Sequence, residues 1–112
     1  MASSMVILGN ARGPLPLSKQ FQAPSDAPVD LFISGSVRTK GAPTLVGVNI
    51  ELDGKVIGQS QVWCNENDSH RALVPVIIPL QFGFGAHTVT VTPQNAAAIT
   101  DVNDYFNVVL MF

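Results

Sequence analysis

No stretch of the chain keeps apolar residues at i, i+3, i+4 and i+7 over three turns, so amphipathic helices are not expected. Short runs rich in Val, Ile, Thr and Phe recur instead, separated by clusters of Gly, Pro, Asn and Asp. That spacing belongs to an antiparallel sandwich or barrel. The runs predict strands near 5–8, 16–22, 29–37, 44–51, 55–63, 72–80, 86–92 and 104–112. A chain of 112 residues fits one domain and can bury a core without disulfides or metal. The expectation is therefore an all-β, single-domain antiparallel β-sandwich spanning 1–112, with about eight strands.

Alternation assigns the faces, because successive side chains of a strand point to opposite sides. In "PVDLFISGSV", Val29, Leu31, Ile33 and Val37 share one face; in "TLVGVNIEL", Val46, Val48 and Ile50 oppose Gly47, Asn49 and Glu51. The turn "ELDGKVIG" has two readings. A two-residue Asp53-Gly54 loop pairs Leu52 with Lys55 but brings Gln59 and Gln61 opposite Val48 and Val46. A three-residue loop, Leu52-Asp53-Gly54 with Gly54 left-handed, pairs Glu51 with Lys55 and Ile50 with Val56. The second is preferred. It puts Val56, Gly58, Ser60 and Val62 on the core face, Cys64 with them and Trp63 on the outer face; a one-residue slip would move every core side chain outward.

Two segments are apolar on both faces. In "ALVPVIIPL", Pro75 and Pro79 lack ladder donors, so this strand belongs at an edge or an irregular border. The closing "DYFNVVLMF" puts Phe106, Val108, Leu110 and Phe112 on one face and Tyr105, Val109 and Met111 on the other. Chain ends ordinarily fray into water, so an apolar strand running to Phe112 calls for a cover. Charged residues make up 12% of the chain, against roughly 25% in ordinary soluble domains. Both observations predict a homo-oligomer associating through the 72–80 and 104–112 strands, with burial between layers of one chain as the alternative.

Several function classes find no support. The six basic and eight acidic residues are scattered at a net charge of −2, so nucleic acid is not an expected partner. Cys64 is alone and forms no intrachain disulfide. The N-terminal apolar run Met5 to Leu8 is too short for a signal-peptide core, and no run approaches the roughly 20 residues of a membrane span. A cytoplasmic or virion location is expected, with no membrane partner.

The stretch "GVNIELDGKVIGQSQVW" followed by "GFGAHTVTVTP" resembles bacterial immunoglobulin-like repeats, where a D-G-K hairpin precedes a G-x-H-T-V-T-V-T strand. After "VTP" the chain departs from that pattern. Its C-terminal strand is similar in layout to the jelly-roll heads of the tumour-necrosis-factor and C1q type. Both resemblances imply a β-sandwich, and neither carries a catalytic residue onto this sequence.

For chemistry the candidates are few. Cys64, His70 and His87 supply nucleophile and base types, but no hydrolase signature frames them. Cys64 reads as an inert buried thiol, and His87 as a strand-entry residue bonded to a loop carbonyl. Two oxygen-rich loops, Asn65 to Asp68 with His70 and Asp101, Asn103 with Asp104, contain calcium-ligand types without an EF-hand pattern. Asn and Asp also favour turns for their own sake, so neither a metal nor a cofactor is expected. An exposed aromatic beside amide and carboxylate side chains suits a sugar. Trp63, Asn65, Glu66, Asn67, Asp68 and His70 form that set, and Tyr105 beside Asn103 and Asp104 is a second such pairing. The expected function is a non-enzymatic, self-associating binding or structural module, with a lectin-like domain binding a glycan near Trp63 as the alternative.

Overall fold

The structure, a computed structural model, describes residues 3–112. Among the described residues nine strands form two antiparallel sheets: β1 (Ser4–Arg12), β2 (Leu17–Ala23), β3 (Val29–Val37), β4 (Thr44–Leu52), β5 (Lys55–Cys64), β6 (Arg71–Ala72), β7 (Val76–Leu80), β8 (Gly85–Pro93) and β9 (Tyr105–Met111). The first sheet runs β1-β9-β3, with β6 and β7 both pairing the far side of β3; the second runs β2-β8-β4-β5. The expected sandwich is present. No helix among the described residues is long and apolar enough to cross a membrane.

The alternation that the sequence displays produces the core. Leu31, Ile33 and Val37 from β3 and Phe106, Val108 and Leu110 from β9 meet Val46, Val48 and Ile50 from β4 and Val89 and Val91 from β8. All are fully buried. These side chains close the interior from both layers, so the sheets pack face to face, and polar residues are left on the outer face of the second sheet.

Two expectations change. The β4–β5 connection is the two-residue turn Asp53-Gly54, with φ of 52° and 86°, and Leu52 pairs with Lys55. Positive φ at both central residues is what Asp-Gly turns favour, and their twist matches that of the strands. A bulge follows at once. Val56 pairs with Glu51 and Gly58 with Ile50, so Ile57 is the extra residue and Val48 then meets Ser60. The three-residue loop is thus replaced by a tight turn plus a bulge, and Val56 is exposed rather than in the core. The bulge restores the parity that keeps Gln59 and Gln61 outside. Cys64 is therefore buried and Trp63 exposed.

The single strand expected over 72–80 is two. Leu73 still donates its N–H to the Gly35 carbonyl of β3 (2.8 Å), but Val74 donates to Gln61 of β5 (3.0 Å) and its carbonyl accepts the Ser60 hydroxyl (2.6 Å). The chain is drawn to the opposite sheet for one residue before β7 rejoins β3. Pro75 lies in this interruption and Pro79 on the edge strand, where a missing donor costs no ladder bond.

The closing strand is central in its own sheet, between β1 and β3, and Phe112 exchanges backbone hydrogen bonds with Ser3 (2.6 and 2.9 Å). Its inner face is covered within the chain. Its outer face, with Val109 and Met111, is only partly covered.

Candidate functional site

Beyond the bulge, odd-numbered residues of β5 face outward, which carries Trp63 to the surface at the end of the strand. Its relative exposure is 53%, and its cross-strand partner Leu45 is exposed at 46%. The indole N–H donates to the Asn65 side-chain oxygen (2.7 Å), so the first residue after β5 fixes the ring's rotation. Glu66 is exposed in the same turn. Trp63 and Leu45 together form an apolar platform with polar groups at its rim.

The rest of the tract has other employment. Asn67 accepts the Ala42 N–H (2.9 Å), and Asp68, at a φ of 60°, donates its N–H to Thr39 (2.8 Å) and pairs with the Arg38 guanidinium (2.7 Å). These bonds clamp the turn to the β3–β4 connection. His70 turns away to a second cluster, where its Nδ1 lies 2.7 Å from the wholly buried carboxylate of Asp104. The six residues named from sequence therefore divide into Trp63, Asn65 and Glu66 on one side and Asn67, Asp68 and His70 on the other.

Sequence reasoning kept the two oxygen-rich loops apart, yet the fold joins them. Ligand atoms of His70, Asp101 and Asp104 lie within 4.8 Å of one another. Asp104 accepts from the Ser36 hydroxyl (2.8 Å) and from the Asp101 N–H (2.9 Å) in addition to the His70 ring. Arg38 approaches Asp101 at 3.5 Å. A bound cation would have to displace these donors and sit beside a guanidinium, so the donor set fits an internal ion-pair network better than a metal centre. The signal that could have found it is the strand order, which brings the β5–β6 and β8–β9 connections to one end of the sandwich.

Cys64 is fully buried, and desolvation raises its thiol pKa, which leaves little thiolate for nucleophilic chemistry. Tyr105 is partly exposed on β9 opposite Arg12. His87 does bond a loop carbonyl, that of Gly83 (2.6 Å), but its other ring nitrogen contacts the Asp53 carboxylate (2.6 Å). Both partners are acceptors, so the doubly protonated ring satisfies both. The Asp53 hydrogen bond, then the Gly83 carbonyl, raises the His87 pKa above its ordinary 6.5. The bonds from His87 and the Thr88 N–H in turn hold Asp53 below its ordinary 3.8.

The His87 contribution is complete below its unfolded pKa and is lost as pH rises through the raised folded value. The Asp53 contribution is present above its unfolded pKa and is lost as pH falls through the lowered one. The pair is thus strongest between roughly pH 4 and 6.5. Because Asp53 is half exposed, the gain is below about 1 kcal/mol. Melting curves between pH 6 and 9 should show wild type losing its advantage over His87→Gln as pH rises; an unchanged difference contradicts the assignment.

No protein-family model matches the chain, and no curated protein matches it in sequence. Solved structures share its fold. A dimeric latent PorU from Porphyromonas gingivalis aligns at a TM-score of 0.62 and 9% identity, over 98% of this chain and 12% of that one. A family 35 carbohydrate-binding module from Clostridium thermocellum aligns at 0.53 and 10% identity, over 98% and 89%. The C-terminal domain of EclA, described as a sugar-binding protein, aligns at 0.51 and 14% identity, over 100% and 77%. The chain thus spans about an eighth of PorU but most of each sugar-binding neighbour. At these identities the likeness is one of fold.

Proposed function

We propose that this chain is a non-enzymatic carbohydrate-binding module whose site is the Trp63–Leu45 platform with Asn65 and Glu66 at its rim. The observation that carries the reading is the exposed indole, fixed by Asn65 beside polar side chains. A sugar ring has an apolar face that packs on an aromatic plane and equatorial hydroxyls that need donors and acceptors around it. The sugar-binding domains of like size and fold support this reading. So does the strand order: with β6 and β7 counted as one interrupted strand, the interleaving β1-β9-β3-β6/β7 over β2-β8-β4-β5 favours the jelly-roll alternative over the immunoglobulin one. A glycan array read with wild type and with Trp63→Ala is the test. Glycans retained by wild type and lost by the variant support the reading; no retained glycan, or equal retention by both, refutes it.

A second reading, self-association, rests on the opposite sheet. Val6, Val109, Phe32 and Ile77 form one cross-strand row on its outer face, with Val6 and Ile77 about 60% exposed. Met111 and Pro79 extend the row beside Asp30. An apolar band four strands wide, about 14 Å, suits the same face of a second copy related by a two-fold axis. Sedimentation equilibrium is expected to give a dimer that dissociates in Ile77→Asp. A single-chain mass at every concentration contradicts this reading and leaves the sugar site untouched.

A further inference from the structure

The outer face of the β2-β8-β4-β5 sheet continues from the Trp63 platform as rows of amide and hydroxyl side chains. Gln61, Gly47 and Gln94 make the next row, Gln59, Asn49 and Thr92 the one after, and Glu51, Thr90 and Ser18 the third, which the exposed Val56 closes on the β5 side. Glu51 is the one charged side chain in these rows, and it accepts from the Thr92 hydroxyl (3.3 Å). From Leu45 to Glu51 along β4 the face extends about 20 Å.

The amides are tied to one another across strands. Gln59 donates to the Asn49 side-chain oxygen (3.0 Å), and Gln61 donates to the Gln94 side-chain oxygen (2.9 Å) over Gly47. Gly47 makes the second bond possible: a Cβ there would lie 2.8 Å from the Gln61 Cγ and collide with the Ser60 carbonyl. Each pair spends one donor and one acceptor and leaves the complementary groups of both residues on the surface. Side chains already held in place lose less rotamer entropy when a ligand binds.

We infer that this face is an extended subsite for a linear, uncharged polysaccharide, which lies on the Trp63–Leu45 platform at one end and on the Gln61–Gln94 and Gln59–Asn49 pairs beyond it. The inference rests on the proposed carbohydrate-binding function and deepens it from one sugar ring to a chain. Neutral amides and hydroxyls both donate and accept, as the hydroxyls of a neutral polyol do; an anionic polymer finds no cation in these rows, and a cationic one finds only Glu51, already bonded to the Thr92 hydroxyl.

Isothermal titration with cello-, xylo-, manno- and malto-oligosaccharides of one to six units tests it, using wild type, Trp63→Ala and the double variant Gln59→Ala/Gln61→Ala. In at least one series, affinity is expected to rise with chain length. The double variant should lose about tenfold or more on the longest member, the order expected of two hydrogen-bonding groups, and bind the shortest as wild type does. Trp63→Ala should lose both. Length-independent affinity, or full affinity of the double variant for the longest member, overturns the extended subsite while the Trp63 site stands. Stronger binding of polygalacturonate or chitosan than of any neutral chain also overturns it. No binding by any series overturns both readings.

Discussion

Trp63→Ala is expected to cost about 2–4 kcal/mol of glycan affinity, roughly 30- to 1,000-fold, because buried aromatic anchors dominate binding where they form the platform. The substitution leaves Leu45 as the sole apolar group of the platform and frees the Asn65 side chain. Trp63→Phe separates the two contributions. It keeps an apolar ring but loses the N–H that fixes its rotation, so an intermediate loss is expected. The residue is exposed at a strand end, so neither variant should change stability by more than about 0.5 kcal/mol. Titration calorimetry and thermal melting on the same samples check this. Lost binding together with a large drop in melting temperature would point to a structural role instead.

Asp104→Ala is expected to give the largest stability effect, about 3–5 kcal/mol. The carboxylate has no exposed surface and accepts from Ser36, the His70 ring and the Asp101 N–H, so its removal leaves three donors without their partner. Those groups belong to β3, to the β5–β6 connection and to the β8–β9 connection, which the carboxylate holds at one end of the sandwich. Domains of this size are stable by about 5–15 kcal/mol, so the loss is a large share of the total. Asp104→Asn keeps the shape and one acceptor but turns an amide N–H toward existing donors, and a smaller loss of about 1–3 kcal/mol is expected. Urea unfolding midpoints measure both. A loss under about 1 kcal/mol for Asp104→Ala would show that water replaces the carboxylate.

Much of this architecture is legible in the chain because strand parity is local. Val46, Val48 and Ile50 are buried as alternation predicts, and Trp63 and Cys64 part to opposite faces. The edge position of the 72–80 segment follows from two prolines that cannot donate. What parity cannot express is a compensated irregularity. At Asp53-Gly54 the tight turn alone gives the wrong faces, and only the added bulge at Ile57 makes it compatible with the core. The break at Val74 has the same character, since it depends on Ser60 and Gln61 of the other sheet.

In the candidate site, the placement of the aromatic part was legible and that of the rest was not. Trp63 and Asn65 are neighbours in sequence, so their association is local. The cluster of His70, Asp101 and Asp104 joins residues more than 30 positions apart, and no local pattern announces it. His87 shows the same limit: its loop carbonyl lies four residues away, while Asp53 arrives because the β4–β5 turn docks on β8. The amide rows were hidden as well. Gln59, Gln61, Asn49 and Gln94 read as ordinary outward polar residues until the strand register sets them side by side.

The most direct test of the carbohydrate-binding account is an NMR titration of the 15N-labelled protein with the tightest-binding neutral oligosaccharide. Trp63 supplies the chain's sole indole N–H signal, and the side-chain amides of Asn49, Gln59, Gln61 and Gln94 report the rows beyond it. Binding of one oligosaccharide along the platform and the amide rows shifts these signals together and saturates them with one affinity. Shifts confined to the Val6–Val109–Phe32–Ile77 face, or to the loops around His70 and Asp104, would contradict it.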